Sequence, residues 1–590
     1  MSLDISVVTN CDDAVIFWRV DEVIKNCFGF AIERERKLAN GGVERKTLDN
    51  RTGFKKDHPK SGDFRPSNLW PFQRFWWADH SVNSGDRVRY RATPMIYEAG
   101  ELNEQIDGQS RWTPWVDLTG DAGDGISSYF NRGLVISQFM ARYLEDLRKK
   151  KALDTREEAI AEFKRSLDVH ELPIRHFLSG ELRVRMLRLL KDAKDKKRDV
   201  YGALYELEDG ELIAALAALR KRGHVVLANG SITAKKGEGV EKARKRDQNA
   251  VARKKLKAAG LEVQDRFISP GALGHNKFLV FNNEQGKPAS VWTGSTNWTK
   301  TGLCTQINNG VLIQHAGFAK IYQQQWERLR DAKNAFPKTL VAENSTAKKV
   351  SVGKTRADIW FTRASKKVDL QTIDAVINNA QEAVLFLMFQ PGGAGNLATV
   401  RKLLRAKSKT HYIKGVVSTL PSEDPQNEEH VDVSVHSDGE IHRVDLDIVQ
   451  PEGIKRPFSS WAATVVRREF MPQFIKGGRR GGIGNAIVHS KLIVVDPFTR
   501  PVVVTGSHNF SLNASKANDE NFVIFRGNQE LALDYAAHIL SVYHHYRWMA
   551  YVNEMQAKHQ NPKAHLREND TWQAWQLKGA PRRELDFWLR

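Results

Sequence analysis

Over residues 1–105 apolar and polar positions alternate with a period near two. Ile5–Thr9 and Ala14–Val20 are short runs of β-branched and aromatic residues, separated by the turn-forming Asn10-Cys11-Asp12-Asp13, and Gly29–Glu33 is a third. Asp86–Pro94 alternates strictly, with Val88, Tyr90 and Ala92 on one face and Arg87, Arg89 and Arg91 on the other. That is the signature of a half-buried antiparallel strand, so this region is predicted to be a β-sandwich with Trp70, Phe72, Phe75, Trp76 and Trp77 as packing residues. From Ser127 the apolar spacing lengthens to three and four. This predicts helices within Phe139–Leu147, Glu157–Leu167, Glu181–Leu190 and Glu211–Arg222, then a strand at His224–Gly230, a basic helix ending at Gly260 and a strand at Leu261–Ile268. Lys333–Gly353 is polar and weakly periodic, as a linker would be. Beyond it, Ile373–Gln381, Ala383–Gln390, Asn396–Ala406 and Ile413–Thr419 alternate helix with strand, which argues for a largely parallel, helix-covered sheet. The expected organisation is multidomain: a sandwich over 1–105, one α/β half over 125–332, a linker over 333–353, a second α/β half over 354–556, and a docked extension over 557–590 carrying Trp572, Trp575 and Trp588.

Composition narrows the class. The chain has 590 residues, with 90 Lys+Arg against 70 Asp+Glu, a formal charge of +20. No apolar run approaches the roughly 18 residues of a membrane span, Ala383–Phe389 being strand length. Three cysteines, Cys11, Cys27 and Cys304, cannot build a disulfide framework or a clustered zinc site. Met1–Ser6 lacks the basic and apolar regions of a secretory signal, so a soluble, cytoplasmic chain is expected. The surplus charge points to a polyanionic partner.

An internal duplication carries the chemistry. One segment reads His275-Asn-Lys277-Phe-Leu-Val-Phe-Asn282 and then Gly294-Ser295-Thr-Asn297. The other reads His489-Ser-Lys491-Leu-Ile-Val-Val-Asp496 and then Gly506-Ser507-His-Asn509. The histidines are offset by 489 − 275 = 214 residues and the serines by 507 − 295 = 212. Each copy predicts a strand, a hairpin and a second strand, with the histidine and lysine on one face of the first strand. A phosphodiester is an anion with a poor leaving group. Its cleavage needs a nucleophile, an acid for the departing oxygen, and fixed donors around the phosphoryl oxygens. Two histidines serve the first two needs, and lysines and asparagines the third. Face-to-face halves would unite them about a pseudo-twofold axis, and nothing in the pattern calls for a metal or another cofactor.

These residues resemble the phospholipase D superfamily, whose signature is H-x-K-x(4)-D followed by G-S-x-N, commonly twice; the likeness covers about residues 130–556. It implies a metal-independent phosphodiesterase or phosphatidyl-transferase working through a phosphohistidine. By position, His275, Lys277 and Asn297 form half the site and His489, Lys491 and Asn509 the other half. Ser295 and Ser507 match the motif serine, as a turn former or as a phosphate contact. Separately, Tyr90-Arg-Ala-Thr-Pro94 resembles the penultimate strand of a fibronectin type III module, which would make the sandwich a docking or regulatory domain.

The first copy departs from the signature. The motif aspartate is present as Asp496 but replaced by Asn282. Family members often carry a downstream acid that orients the histidine; Glu520 fills that place in the second copy, and alignment through Val311-Leu-Ile puts Asn309 there in the first. On this reading the carboxylate sits beside His489, favouring imidazolium and the acid role, while His275 attacks.

The motif does not choose the phosphodiester. Lys235–Lys257 holds ten basic and three acidic residues, 10 − 3 = +7, just ahead of His275, including Arg244, Lys245, Arg246, Lys254 and Lys255. Arg479 and Arg480 lie in a glycine-flanked stretch shortly before His489. Such segments suit a groove tracking a nucleic acid, DNA or RNA, or else one face of a solvated helix with Val251 and Leu256 turned inward. An anionic phospholipid surface is the other substrate class. Trp292, Trp298 and Phe510, beside the motif strands, are expected to be core. Both motifs lie in one chain, so a monomer completes one site, with a dimer left open.

Overall fold

The computed structural model describes residues 2–38, 40–59, 63–133, 137–391, 394–407, 410–417, 448–449, 488–557 and 565–590. The chain divides into two compact units. In the first, residues up to 120 join those from 540 onward. Strands Leu3–Thr9, Ala14–Val20 and Trp76–Asp79 form one antiparallel sheet. Val116–Asp117, Arg87–Glu98, Cys27–Lys37 and Val43–Thr47 form a second, with Glu101–Glu104 pairing off its long strand. The alternation read from the sequence is what folds this sheet: Val88, Tyr90 and Ala92 are fully buried, while Arg89 and Arg91 pair with Glu35 and Glu33 on the other face. Trp18 meets Phe30 across the core, 6.0 Å between ring centroids. Trp70, Phe72 and Phe75 are buried as expected. The carboxy-terminal segment completes this core: Trp572 packs on Phe30 and Phe75 and donates to Cys27 O at 2.9 Å, and Trp588 stacks on Phe17. This unit therefore extends past the boundary expected at residue 105 and takes in the tail.

The second unit holds two mixed sheets. The first contains β1 (Ile126–Phe130), β2 (Val200–Leu204), β3 (Gly223–Ala228), β4 (Glu262–Arg266), β5 (Lys277–Asn282), β6 (Pro288–Gly294) and β7 (Asn309–Ile313), in the order β1-β7-β6-β5-β2-β3-β4. The second contains β8 (Lys348–Val352), β9 (Thr355–Phe361), β10 (Ala383–Met388), β11 (Tyr412–Val417), β12 (Ile448–Val449), β13 (Leu492–Val495), β14 (Val502–Gly506) and β15 (Asn521–Arg526), in the order β8-β9-β15-β14-β13-β10-β11-β12. Apart from β8 the two orders are identical. The runs β10 (Ala-Val-Leu-Phe-Leu-Met) and β13 (Leu-Ile-Val-Val) are apolar and buried at every position, as strands covered on both faces are, and Ile373, Ile377, Leu397 and Val400 of two helices pack on one of those faces.

The expected linker is instead structured. Residues 333–353 hold helix Lys338–Asn344 and strand β8, which pairs with β9 at Lys348↔Ile359 through Val352↔Thr355. Valines alternating with polar residues in Lys-Lys-Val-Ser-Val suit an edge strand, and five residues are too few for a strong periodic signal. The basic stretch forms two helices, Val240–Arg244 and Ala250–Ala258. Leu256 is buried as expected, but Val251 is 68% exposed, because both lie in Ala250–Ala258 and a five-residue separation puts them on different faces of one helix. Among the described residues no helix is long and apolar enough to cross a membrane.

Candidate active site

The strand registers superimpose the two halves. Gly294 pairs with Gly310 and Gly506 with Phe522, so Asn309 corresponds to Asn521 and Asn308 to Glu520. Each histidine lies just before its strand, in a segment bridged to the opposite half: Gly274↔Asp519 and Ile307↔Val488. This bridging exchanges partners between the two halves. Glu520 Oε2 lies 2.6 Å from His275 Nδ1, and Asn308 Oδ1 lies 2.9 Å from His489 Nδ1.

The expected assignment is thereby corrected. The carboxylate serves His275, not His489, and the neutral amide is Asn308 facing His489, where Asn309 beside His275 was expected. Aligning through the apolar run of β7 slipped by one residue; the 212-residue offset of the Gly-Ser pair maps Glu520 onto Asn308.

The remaining first-copy contacts recur in the second. Lys277 Nζ donates to His275 O at 2.8 Å and lies 4.7 Å from the Tyr205 ring centre. Lys491 Nζ donates to His489 O and lies 4.8 Å from Phe389. The same two rings pack against the imidazoles, Tyr205 on His275 at 4.6 Å and Phe389 on His489 at 4.7 Å. Ser507 Oγ donates to Glu520 Oε2 at 2.8 Å and Ser295 Oγ to Asn308 Oδ1 at 2.8 Å; each also accepts a backbone N–H, from Asn521 and Asn309. The motif serines therefore hold the residue that holds the histidine. The preceding glycine permits this closeness: a Cβ on Gly294 would stand 2.2 Å from Asn309 O, and one on Gly506 2.3 Å from Asn521 O.

Below the histidines Asn309 and Asn521 tie the halves. Asn309 Nδ2 donates to Thr505 Oγ1 at 2.8 Å and faces Tyr535 Oη, and Asn521 Oδ1 accepts from Thr293 Oγ1 at 2.7 Å and faces Tyr322 Oη. Asn282 and Asp496, at the far ends of their strands, do not reach the histidines. Asp496 accepts from the N–H groups of Gln381, Glu382 and Ala383, starting β10, and Asn282 donates to Gly286 O in its own hairpin.

Burial sets the electrostatics. Both imidazoles are pushed well below their ordinary pKa, first by desolvation and then by Lys277 and Lys491. Both lysines are shifted down by burial. Glu520 is pushed up to about 7 by burial, opposed by Lys277 and its hydrogen bonds. Among the described residues no three or more His, Cys, Asp or Glu side chains gather as a metal ion would require.

Asn297 Nδ2 donates to Glu206 Oε2 at 2.7 Å. Asn297 Oδ1 and Asn509 Oδ1 are buried and accept no hydrogen bond among the described residues. Glu206, Tyr205, Phe389 and Asn308 are site residues that sequence reasoning missed. Their signal was present, since Tyr205-Glu206 and Phe389-Gln390 both end an apolar strand facing the motif strand. Trp292, Trp298 and Phe510 are buried core, as expected.

The basic segment is anchored at the same strand ends. Gln248 binds Asn229 O, Ser231 N and Glu208 Oε1, and Ser231 hydrogen-bonds the Tyr205 hydroxyl. Arg244 and Arg246 pair with Glu241 and Glu238, whereas Lys245, Lys254 and Lys255 are exposed. Arg479 and Arg480 lie outside the described residues.

Residues 186–330 and 373–542 match the family model described as Cardiolipin synthase, PLD-like domain. No curated protein matches the chain. Among solved structures, it is similar to polyphosphate kinase from Porphyromonas gingivalis (11% identity, 57% of this chain and 45% of that one, TM-score 0.34). It is also similar to phosphatidylserine synthase from Haemophilus influenzae Rd KW20 (13%, 65% and 92%, TM-score 0.38). A third is Nuc, a phospholipase D family member from Salmonella typhimurium (21%, 26% and 87%, TM-score 0.20). The chain spans less than half of the first of these, and likenesses at these scores say nothing of substrate. None of the matches identifies a fibronectin type III module in the amino-terminal sheets.

Proposed function

This chain belongs to the phospholipase D-like family, and from that premise we propose that it is a nuclease, cleaving nucleic-acid phosphodiesters through a phosphohistidine on His275. The observation that carries the mechanism is the crosswise pairing of the two imidazoles. Each Nδ1 is engaged by an oxygen acceptor, which places the proton there and leaves Nε2 for chemistry. Attack by His275 Nε2 on phosphorus makes its ring cationic, and the Glu520 carboxylate stabilises that charge as it develops. His489 acts as the acid in its imidazolium form, which the negative charge of the bound phosphodiester favours, with one proton on Nδ1 facing Asn308 and a second on Nε2; facing a neutral amide and no carboxylate, it passes the Nε2 proton to the departing oxygen more readily. It then takes a proton from water, whose oxygen attacks phosphorus as the P–N bond breaks. Lys277, Lys491, Asn297 and Asn509 supply donors to the phosphoryl oxygens.

The exposed Lys245, Lys254 and Lys255, on an insert fastened beside Tyr205, support a polyanionic substrate. The name of the family model favours the other reading, phosphatidyl transfer on glycerophospholipids. Labelled DNA, labelled RNA and phosphatidylcholine vesicles, each incubated in EDTA with wild type and His275→Ala, separate the two. Nucleic-acid cleavage that needs His275 supports the nuclease; lipid turnover alone overturns it, and loss of all turnover in EDTA overturns the metal-independent mechanism.

A further inference from the structure

The halves differ at one more place inside the site. Leu204 pairs with Lys277, and Leu387 with Leu492, so Met388 stands opposite Lys491, Tyr205 corresponds to Phe389, and Glu206 to Gln390. One half thus presents a carboxylate to its Gly-Ser-x-Asn asparagine where the other carries a neutral amide. Around Glu206 stand Lys277 from β5, Lys491 from the second half, and Glu208, Tyr205 and Gln248 from its own rim, together with Asn297.

The hydrogen bond fixes which end of the Asn297 amide faces the site. With Glu206 ionised, Nδ2 must donate to it, and the buried Oδ1, an acceptor without a donor, is what remains for a ligand. An acceptor oxygen repels a phosphoryl oxygen. Turning the amide over would offer Nδ2 to the ligand but set Oδ1 against Glu206, a contact that is a hydrogen bond only when the carboxyl carries a proton. Charge runs the same way: Lys277 and Lys491 against Glu206 and Glu520 leave an ionised site with no positive excess for an incoming anion.

We propose that Glu206 is a proton-accepting positioning residue, which on entry of a phosphoryl oxyanion takes up one proton and lets the Asn297 amide turn its donor to that anion. This rests on the reading of the site as a phosphoryl site. Burial, which pushes Glu206 above the ordinary carboxylate range, makes the proton available near neutrality.

Sulfate is a suitable probe, being dianionic over roughly pH 5 to 9, where it contributes no proton of its own. Calorimetric titration of the full chain with sulfate, in buffers of different ionisation enthalpy, counts protons bound. Above about pH 8, where free Glu206 is ionised, wild type is expected to take up one proton more than Glu206→Gln, and its affinity to fall about tenfold more per pH unit. Glu206→Gln reproduces the amide already tolerated at Gln390, so it is expected to fold. Glu206→Asp keeps a titrating group on a shorter stem, and should bind sulfate more weakly with the extra proton retained. Equal proton counts in wild type and Glu206→Gln, with sulfate bound by both, overturn the role of Glu206 and leave the phosphoryl site standing. No sulfate binding by either at any pH overturns both.

Discussion

The two halves of the catalytic unit share one scaffold and differ in their acids. Strand order, register, lysine-to-carbonyl contact and serine bridge repeat, yet both site carboxylates, Glu520 and Glu206, lie on the His275 side, while His489 faces Asn308 and Phe389. Duplication supplies two imidazoles in near-equivalent places. Roles separate because a few strand-end positions changed. The exchange between the halves means that a substitution in one half retunes the histidine of the other.

The comparison breaks most sharply at the histidines. His275→Ala and His489→Ala should each lower turnover by at least about a thousandfold. With an activated ester whose leaving group needs no acid, His489→Ala should still accumulate a phosphorylated peptide, and mass spectrometry should place the phosphoryl group on His275. Phosphate on His489 would reverse the roles.

Next come the partners. Glu520→Gln is expected to cut kcat about a thousandfold, by removing the charge that stabilises a cationic ring, whereas Asn308→Ala should cost about tenfold. Comparable losses would mean that the carboxylate is only a spacer. The serines should follow the same order at smaller size, Ser507→Ala lowering kcat about tenfold and Ser295→Ala less, because a hydrogen bond to a charged group is worth more than one to a neutral group.

The smallest effect lies beneath the site. Tyr535 and Tyr322 face equivalent asparagines, so Asp534 stands where the first half has Ile321. Asp534 is half-buried, accepts from Ser128 Oγ at 2.8 Å, and is pushed by desolvation up to about 8. A carboxyl raised in the folded state favours folding below its unfolded pKa, and that contribution is lost as pH rises through about 8. Asp534→Asn should therefore match wild type in thermal stability near pH 4 and exceed it above pH 8, as unfolding scans across that range will show.

Much of this was legible beforehand. The His-x-Lys spacing singled out two histidine–lysine pairs that the fold brings within electrostatic reach of one another, because a two-residue period dictates a shared face without knowledge of the partner. Alternation at Val88, Tyr90 and Ala92 likewise gave the buried face of an amino-terminal sheet. The strand at Lys348–Val352 was missed because an edge strand shows few apolar positions. Glu206 was missed because a single acid after an apolar run looks like any surface carboxylate.

The sequence alone determined that two equivalent His-x-Lys and Gly-Ser-x-Asn segments exist and which motif side chains each one carries. Tertiary structure alone decided which acid serves which histidine. Glu520 and His275 are 520 − 275 = 245 residues apart and belong to different copies, so no local periodicity links them. Their 2.6 Å contact exists because the segment ending at Gly274 pairs with Asp519 of the other half, a contact between two sheets that no local pattern encodes.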